Sequence, residues 1–168
     1  MRRCIIPILA FVLMLAAASC GIYSFSGASI PPEAKTISIT HFPNNAAIVN
    51  PSLSQAFTDM LKDKFTNQTS LSLVTRNGDL QIEGEITGYN VQPVAIQGND
   101  QAALNRLTVT VNVRYQNKYA ESQNFESSFS RFADFPAAQS LSSVQQTLLE
   151  EINKALVEDI FNKSVANW

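Results

Sequence analysis

The chain has 168 residues, 45% of them hydrophobic, with 12 basic and 14 acidic side chains and two cysteines. Cleavage of an N-terminal signal would remove Arg2 and Arg3. The mature chain would then have 12 − 2 = 10 basic and 14 acidic residues, which gives a net charge of −4. A negative net charge excludes a general electrostatic attraction to nucleic acid. The remaining residues, about 150, are enough to form one hydrophobic core. Cys4 also leaves with the signal, so the mature domain is expected to hold no disulfide and no thiolate metal site.

The N-terminal part is predicted to be an export signal that ends at a lipid-attachment site. Two arginines precede an apolar run over 5–15, and small residues over 16–19 lead to Cys20, a pattern that resembles a bacterial lipobox. The run is too short for ~30 Å of hydrocarbon, which takes about 20 residues. An ordinary cleaved signal with an incidental cysteine is the alternative. The predicted organisation is a signal peptide at 1–19, a lipidated tether at 20–35 and one domain at 36–168.

The residues after Cys20 bear on where such a lipoprotein would reside. Gly-Ile-Tyr-Ser-Phe-Ser-Gly follows the cysteine and contains no acidic residue. By resemblance to known sorting rules, this argues against retention at the inner membrane, which favours Asp next to the cysteine. The expected location is the periplasmic face of the outer membrane, with two or three acyl chains making dissociation negligible.

The first half of the domain is predicted to form a strand, a helix and a short extended piece. Alternation over 36–42 places Ile37, Ile39 and His41 on one side of the strand. The helix is capped either by Asn50 with Pro51 at its first position, or by a capping box of Ser52 and Gln55, and it closes at 67–68. The extended piece covers 71–74. The apolar stripe of the helix comprises Leu53, Phe57, Met60, Leu61 and Phe65.

The second half begins at an Asn77-Gly78 turn. Leu80, Ile82 and Ile86 share one side of the next strand with Gly84 and Gly88, so a large side chain, such as a Phe of a helix, is expected to pack over the glycines. A polar loop is predicted over 93–105. The clearest strand follows over 107–115, and a hairpin tip at Asn117-Lys118 leads to a return strand bearing Phe125 and Phe129. A final helix starts at Ser142 with Gln145 as a capping box.

This order, β-α-β-β-β-α, predicts an α+β fold. Each long strand has a single apolar face, which is typical of a sheet covered on one side only. We therefore expect a two-layer sandwich, with two helices packed on one face of a mixed, mainly antiparallel sheet of about four strands. The first two strands, joined by a helix, are expected to be parallel.

The sequence offers little that would support catalysis or metal binding. His41 is the single histidine, and Glu83 and Glu85 have the spacing of the ordinary polar side of a strand. No His, Cys or carboxylate cluster has the ligand spacing for zinc or calcium. We predict a protein that is not an enzyme, with no metal and no cofactor besides the covalent lipid on Cys20.

What remains is the uncovered face of the sheet, rich in hydroxyl and amide groups and poor in charge. Such a face is either merely solvated or suited to the polar wall of a β-barrel lumen. The basic residues of the two long strands are candidate contacts for phosphate, for a sugar-lipid headgroup or for a protein partner, with scattered solubilising charges as the alternative. The predicted face comprises Thr108, Thr110, Asn112, Arg114, Glu126, Ser128 and Ser130. The candidate basic contacts are Arg106, Arg114, Lys118 and Arg131.

Four ordered segments resemble the lipopolysaccharide-assembly lipoprotein family LptE in its Bacteroidetes form, and the likeness covers 20–168. They are Cys20-Gly-Ile-Tyr-Ser-Phe-Ser-Gly, Ser38-Ile-x-x-Phe42, Gly78-Asp-Leu-x-Ile-x-Gly-x-Ile-x-x-Tyr89 and Leu107-Thr-Val-x-Val. The resemblance implies a lipid-anchored α/β sandwich that plugs the LptD outer-membrane β-barrel and handles lipopolysaccharide. It transfers acylation to Cys20 directly, but carries no glycolipid-binding residue to a particular position.

The expected function is therefore that of plug and assembly partner of an LptD-type barrel in the transport of lipopolysaccharide to the outer leaflet. The alternative is a periplasmic lipoprotein adaptor of another outer-membrane export or efflux assembly. Neither hypothesis involves nucleic acid.

Overall fold

The computed structural model describes residues 30–48, 50–96 and 102–165, and within them the predicted α+β sandwich is confirmed. The sheet has five strands, because the short piece after the first helix pairs as a strand of its own. The elements are β1 (Thr36–Ile39), α1 (Pro51–Gln68), β2 (Ser72–Val74), β3 (Leu80–Ile96), β4 (Ala102–Asn117), a short 3-10 helix (Glu121–Gln123), β5 (Phe125–Pro136) and α2 (Leu141–Val165).

The strand order in the sheet is β2-β1-β3-β4-β5. β1 pairs in parallel with β2, as expected for strands joined through a helix, and it also pairs in parallel with β3 on its other side. β3, β4 and β5 form an antiparallel meander in which Val111 of β4 lies between Ile86 and Phe129. The sheet is thus parallel at one edge and antiparallel over most of its width.

The first of the two alternatives for the start of α1 is confirmed. The Asn50 side chain accepts a hydrogen bond from the backbone N–H of Ser52 at 3.0 Å, and Pro51 occupies the first turn, where its missing N–H costs nothing. Gln55 instead donates to Asp59 one turn later, so it closes no capping box.

The predicted alternation of β1 fails after Ile39, where the strand ends. His41 is exposed and Phe42 is fully buried, the reverse of the expected facing. The Phe42 N–H donates to Thr58 Oγ1 of α1 at 3.1 Å, which turns its ring into the core. The ring packs over Gly84, where an added Cβ would lie 2.5 Å from Phe42 Cε1. A large side chain does cover this glycine, but it comes from the segment after β1 and not from a helix.

β3 and β4 are longer than predicted, and the expected loop over 93–105 is largely paired strand. Backbone pairing satisfies the N–H and C=O groups whatever side chains the strands carry, so pairing continues past the last apolar alternation. Register shifts accompany Pro93, which lacks an N–H, and occur between Ile86 and Gly88. The latter shift moves Tyr89 into the core and places Gly88 beside Thr110, so no Phe covers Gly88.

The expected capping box of the last helix is also wrong. α2 begins at Leu141, and Gln145 donates from Nε2 to the Tyr89 hydroxyl at 2.6 Å instead of reaching back to the helix start. Both helices pack on the same face of the sheet. Two edge-to-face aromatic contacts support this packing. Phe42, after β1, contacts Phe57 of α1 at 5.1 Å between ring centroids, and Phe65 of α1 contacts Phe161 of α2 at 5.0 Å.

Candidate interaction surface

The side of the sheet opposite the helices, which we call the open face, is not covered by any described element. β4 alternates there, with Val109, Val111 and Val113 buried and the residues between them exposed or half-buried. β5 alternates in register with it. The seven residues predicted for this face all lie on it.

Polar side chains of β4 and β5 contact each other in pairs across the open face. Thr110 Oγ1 and Ser130 Oγ lie 3.1 Å apart, and an Arg114 side-chain nitrogen lies 3.2 Å from Glu126 Oε2. Both members of the Arg114–Glu126 pair are more than half exposed, so solvent screens the pair and it adds little stability. The hydroxyl and amide groups remain available at the surface.

One cluster on this face went unrecognised in the sequence. Arg106 and Asp134 are directly opposite in the β4–β5 register, and their side chains form two hydrogen bonds of 2.7 and 2.9 Å. The Arg106 guanidinium also lies 3.6 Å from the centroid of the Phe132 ring, which is 52% exposed. The hydrogen bond from Arg106 lowers the pKa of Asp134 and raises that of Arg106. The period-2 alternation of β5, continued to its end, would have placed Phe132 and Asp134 here.

The four predicted basic contacts do not form one site. Arg106 and Arg114 share the open face but lie about 26 Å apart along β4, at ~3.3 Å per residue. Lys118 is in the hairpin, with its Nζ 3.9 Å from Asp79 Oδ1. Arg131 lies on the helix-covered side, where it pairs with Asp159 of α2 at 2.5 and 2.6 Å. Each of the four is paired with a carboxylate, and Arg131 joins the two layers.

The Gly78-Asp79 segment is a structural junction. Asp79 Oδ2 accepts hydrogen bonds from the Lys35 N–H at 3.0 Å, the Thr36 N–H at 3.1 Å and the Thr36 hydroxyl at 2.8 Å. These contacts, led by the Lys35 N–H, lower the pKa of Asp79. An added Cβ at Gly78 would lie 2.4 Å from the Ser38 nitrogen, so only glycine permits the chain to cross β1 so closely.

Metal-holding clusters and membrane-spanning helices were also sought within the described ranges. There, no three His, Cys, Asp or Glu side chains are grouped to hold a metal ion. No described helix combines the length and apolar character needed to cross a bilayer. Cys20, the predicted lipid-attachment residue, lies outside the residues that the structure describes.

Comparison with known protein families gives one match to this chain. The model described as "LptE: Lipopolysaccharide-assembly" matches residues 34–164, which span every strand and both helices of the fold except the last residue of α2. A search of curated proteins finds no match.

Several solved structures show a distant similarity to this chain. The solution structure of an uncharacterized lipoprotein B from Nitrosomonas europaea is 16% identical, with 79% of this chain and 81% of that chain covered and a TM-score of 0.49. A minor lipoprotein from Acinetobacter baumannii is 11% identical, with coverages of 77% and 91% and a TM-score of 0.47. Hypothetical protein CT253 from Chlamydia trachomatis is 10% identical, with coverages of 80% and 99% and a TM-score of 0.48. Similarities at these levels do not extend to function.

Proposed function

This chain belongs to the LptE family of lipopolysaccharide-assembly proteins, and on that premise we propose that it is a lipid-anchored, non-enzymatic plug and assembly partner of an LptD-type outer-membrane β-barrel. Lipopolysaccharide assembly follows from the family. The barrel partner, the outer-membrane location and the absence of catalysis are the proposal.

The observation that carries the proposal is the contrast between the two faces of the sheet. Two helices cover one face and bury the apolar residues of β4, whereas the open face presents hydrogen-bonded hydroxyls and ion-paired side chains. The wall of a large barrel lumen is itself polar, because its strands alternate apolar residues outward and polar residues inward. A flat, hydroxyl-rich sheet face can exchange hydrogen bonds with such a wall without burying unpaired charge.

The predicted anchor is compatible with this placement. Nine residues lie between Cys20 and Ile30, where the described chain begins, and the ten residue-to-residue steps can span at most ~36 Å. An acylated Cys20 would therefore keep the domain within about one bilayer thickness of the membrane surface. That distance suits a domain seated in the mouth of a barrel.

Site-specific photocrosslinking in native outer membranes tests the partner. A photoreactive residue replacing Asn112, on the open face, should crosslink to one large β-barrel protein. The matched control is Thr147, which is exposed on α2 and faces away from the sheet. Crosslinks from Asn112 to an export or efflux component would contradict the LptD partnership. Equal crosslinking from both positions would contradict the assignment of the open face as the contact.

The anchor is tested by Cys20→Ala, with Cys4→Ala as the matched control because Cys4 lies within the predicted signal. Cys20→Ala should release the protein from membranes and leave its circular dichroism spectrum unchanged, since lipid contributes nothing to the core. Cys4→Ala should remain membrane-bound. Loss of the folded spectrum in Cys20→Ala, or its retention in the membrane fraction, would refute this part of the proposal.

A further inference from the structure

A groove runs between the two helices, in the layer opposite the open face. Its first part, of about 590 Å³, lies between the N-terminal halves of α1 and α2, and a second hollow of about 290 Å³ shares Met60 with it. Both helices run in the same direction, because Ser52 and Ser142 line one end of the groove while Lys64 and Glu158 line the other. The ion pair between Lys64 and Glu158 marks its far end.

The groove opens because α1 presents small side chains to α2 over its first turns. Ser52, Ala56 and Met60 are spaced by four residues, so they form one row along the helix. Ala56 ends at its Cβ and leaves the space that a longer side chain would fill. Leu149 and Asn153 of α2, also four residues apart, form the facing wall. The hollow is therefore a consequence of the sequence of α1.

One polar side chain at this wall lacks a partner within the protein. Asn153 is 2% exposed, and its Oδ1 is the only buried side-chain nitrogen or oxygen in the described ranges that forms no hydrogen bond. A buried amide left unpaired destabilises the folded chain, so its presence requires an explanation. An unused acceptor at the wall of a groove selects a ligand that brings an N–H or O–H donor.

The charges along the groove favour an uncharged ligand. Among the described residues that line the first part, Glu150 is acidic and none is basic, so an anion would be repelled there. The N-terminal ends of both helices, where partial positive charge accumulates, disfavour a cation as well. In the second hollow, Asp63 and Glu158 balance Lys64 and Lys154.

The length of the groove indicates a linear ligand. From Ser52 to Lys64 it follows α1 for about 18 Å, at 1.5 Å per residue. An extended peptide of about five residues covers that length at ~3.3 Å per residue. Its backbone offers an N–H donor at each residue, and an apolar side chain can enter the space beside Ala56. A peptide thus supplies both the donor that Asn153 lacks and the apolar group that the hollow admits.

We propose that this groove binds a short, uncharged peptide segment of another protein in extended form. One backbone N–H of the peptide donates to Asn153 Oδ1, and an apolar side chain fills the space above Ala56, against Met60 and Leu149. The groove uses no residue of the open face. The inference therefore goes beyond the proposed plug function and does not depend on it.

The test uses the purified, lipidated full chain, isotope-labelled and held in micelles of a neutral maltoside detergent. The blocked peptide acetyl-Ser-Leu-Ala-Leu-Ser-amide is titrated in, and binding is followed by the amide signals of the protein in NMR spectra. Asn153→Leu should weaken binding about tenfold, although the same substitution should raise the melting temperature. The matched control is Asn162→Leu, on the same helix but outside the groove, which should leave binding unchanged.

A second variant blocks the groove without changing Asn153. Ala56 is exposed on α1, so Ala56→Leu should fold normally. Its longer side chain should occupy the hollow and weaken peptide binding about tenfold. Gln55→Leu is the matched control, because Gln55 is also exposed but does not line the groove, and it should bind the peptide as the natural protein does.

Each outcome either supports or overturns the peptide site. Saturable binding that is weakened in Asn153→Leu and Ala56→Leu, and in neither control, supports it. A tetramer of N-acetylglucosamine that binds as tightly as the peptide would overturn the assignment to peptide and leave an acetamido sugar as the ligand. Lower stability of Asn153→Leu would show that the amide is satisfied in the folded protein, for example by an ordered water, and would remove the reason for a ligand. No saturable binding, or equal weakening by the controls, overturns the site altogether. Since the purified chain is assayed without any barrel, no result here bears on the proposed plug function.

Discussion

Replacing Val111 by Asp puts a carboxyl group at the centre of the covered face of the sheet. Val111 is completely buried, and it lies between Ile86 of β3 and Phe129 of β5 in the antiparallel register. Val111 is 0% exposed beneath the helices, so the new carboxylate loses its contact with water. Only protonation or local unfolding can relieve it.

The expected destabilisation is the sum of two terms. Removing a fully buried valine side chain loses about 2 kcal/mol of apolar burial. Burying a carboxyl group without a partner adds about 3 kcal/mol, because the group must either stay charged in the core or take up a proton at neutral pH. A loss of about 5 kcal/mol approaches the whole stability of an ordinary domain, and it corresponds to roughly 10–20 °C in melting temperature at this size.

Thermal melting by circular dichroism measures the effect, with Asn112→Asp as the matched control. Asn112 is the next residue of the same strand but lies on the open face, so its substitution should change stability by about 1 kcal/mol at most. Burial raises the folded-state pKa of the introduced carboxyl group, so the cost of Val111→Asp should shrink as the pH falls towards 4. Near-normal melting of Val111→Asp together with a large loss in Asn112→Asp would show that the faces are assigned the wrong way round.

Three further substitutions probe the glycine contact, the strand junction and a buried amide. Gly84→Val should lower the free energy of unfolding by about 3 kcal/mol, because even its Cβ would lie 2.1 Å from the backbone oxygen of Asn112. A urea titration measures this, and an unchanged midpoint would contradict the close packing at Gly84. The pKa of Asp79 is lowered in the folded protein, so its contribution to stability is present above about pH 4 and is lost on acidification. Asp79→Asn should therefore melt at a lower temperature at pH 7, and its melting temperature should depend less on pH below 4. Equal acid sensitivity of the variant and the natural protein would refute this. Asn153 is 2% exposed, and its Oδ1 has no partner within the described ranges, so Asn153→Leu should raise stability by about 1 kcal/mol; a loss of similar size would mean that the amide is satisfied.

The sequence predicted the elements whose side chains follow a regular period. β4 alternates without interruption from Leu107 to Tyr115, and each of its apolar residues is buried. The stripe of α1 is equally regular, and four of its five predicted residues are fully buried, Met60 being half-buried. In both cases one local pattern determines which face meets the core, so no knowledge of the partner element is needed.

The failures occur where a contact from elsewhere overrides the local pattern. His41 and Phe42 exchange sides because a hydrogen bond from Phe42 to α1 ends the alternation of β1. A register shift before Gly88 brings Tyr89 inward, and alternation alone cannot reveal that shift. Arg131, by contrast, follows the alternation: it is an even number of residues from Phe125 and Phe129, lies on the helix side with them, and pairs there with Asp159 of α2.

The same reasoning applies to charge. The predicted mature charge of −4 argues against attraction to a long polyanion, because such binding depends on the field summed over a broad surface. A single phosphate requires only two or three donors at one place, and it is insensitive to acids that lie far beyond a screening length of about 8 Å. The arginines of β4 and β5 are each paired with a carboxylate: Arg106 with Asp134, Arg114 with Glu126 and Arg131 with Asp159. The acid placed beside each of these arginines, more than the net charge of the chain, therefore decides how much positive charge the two strands present to a partner.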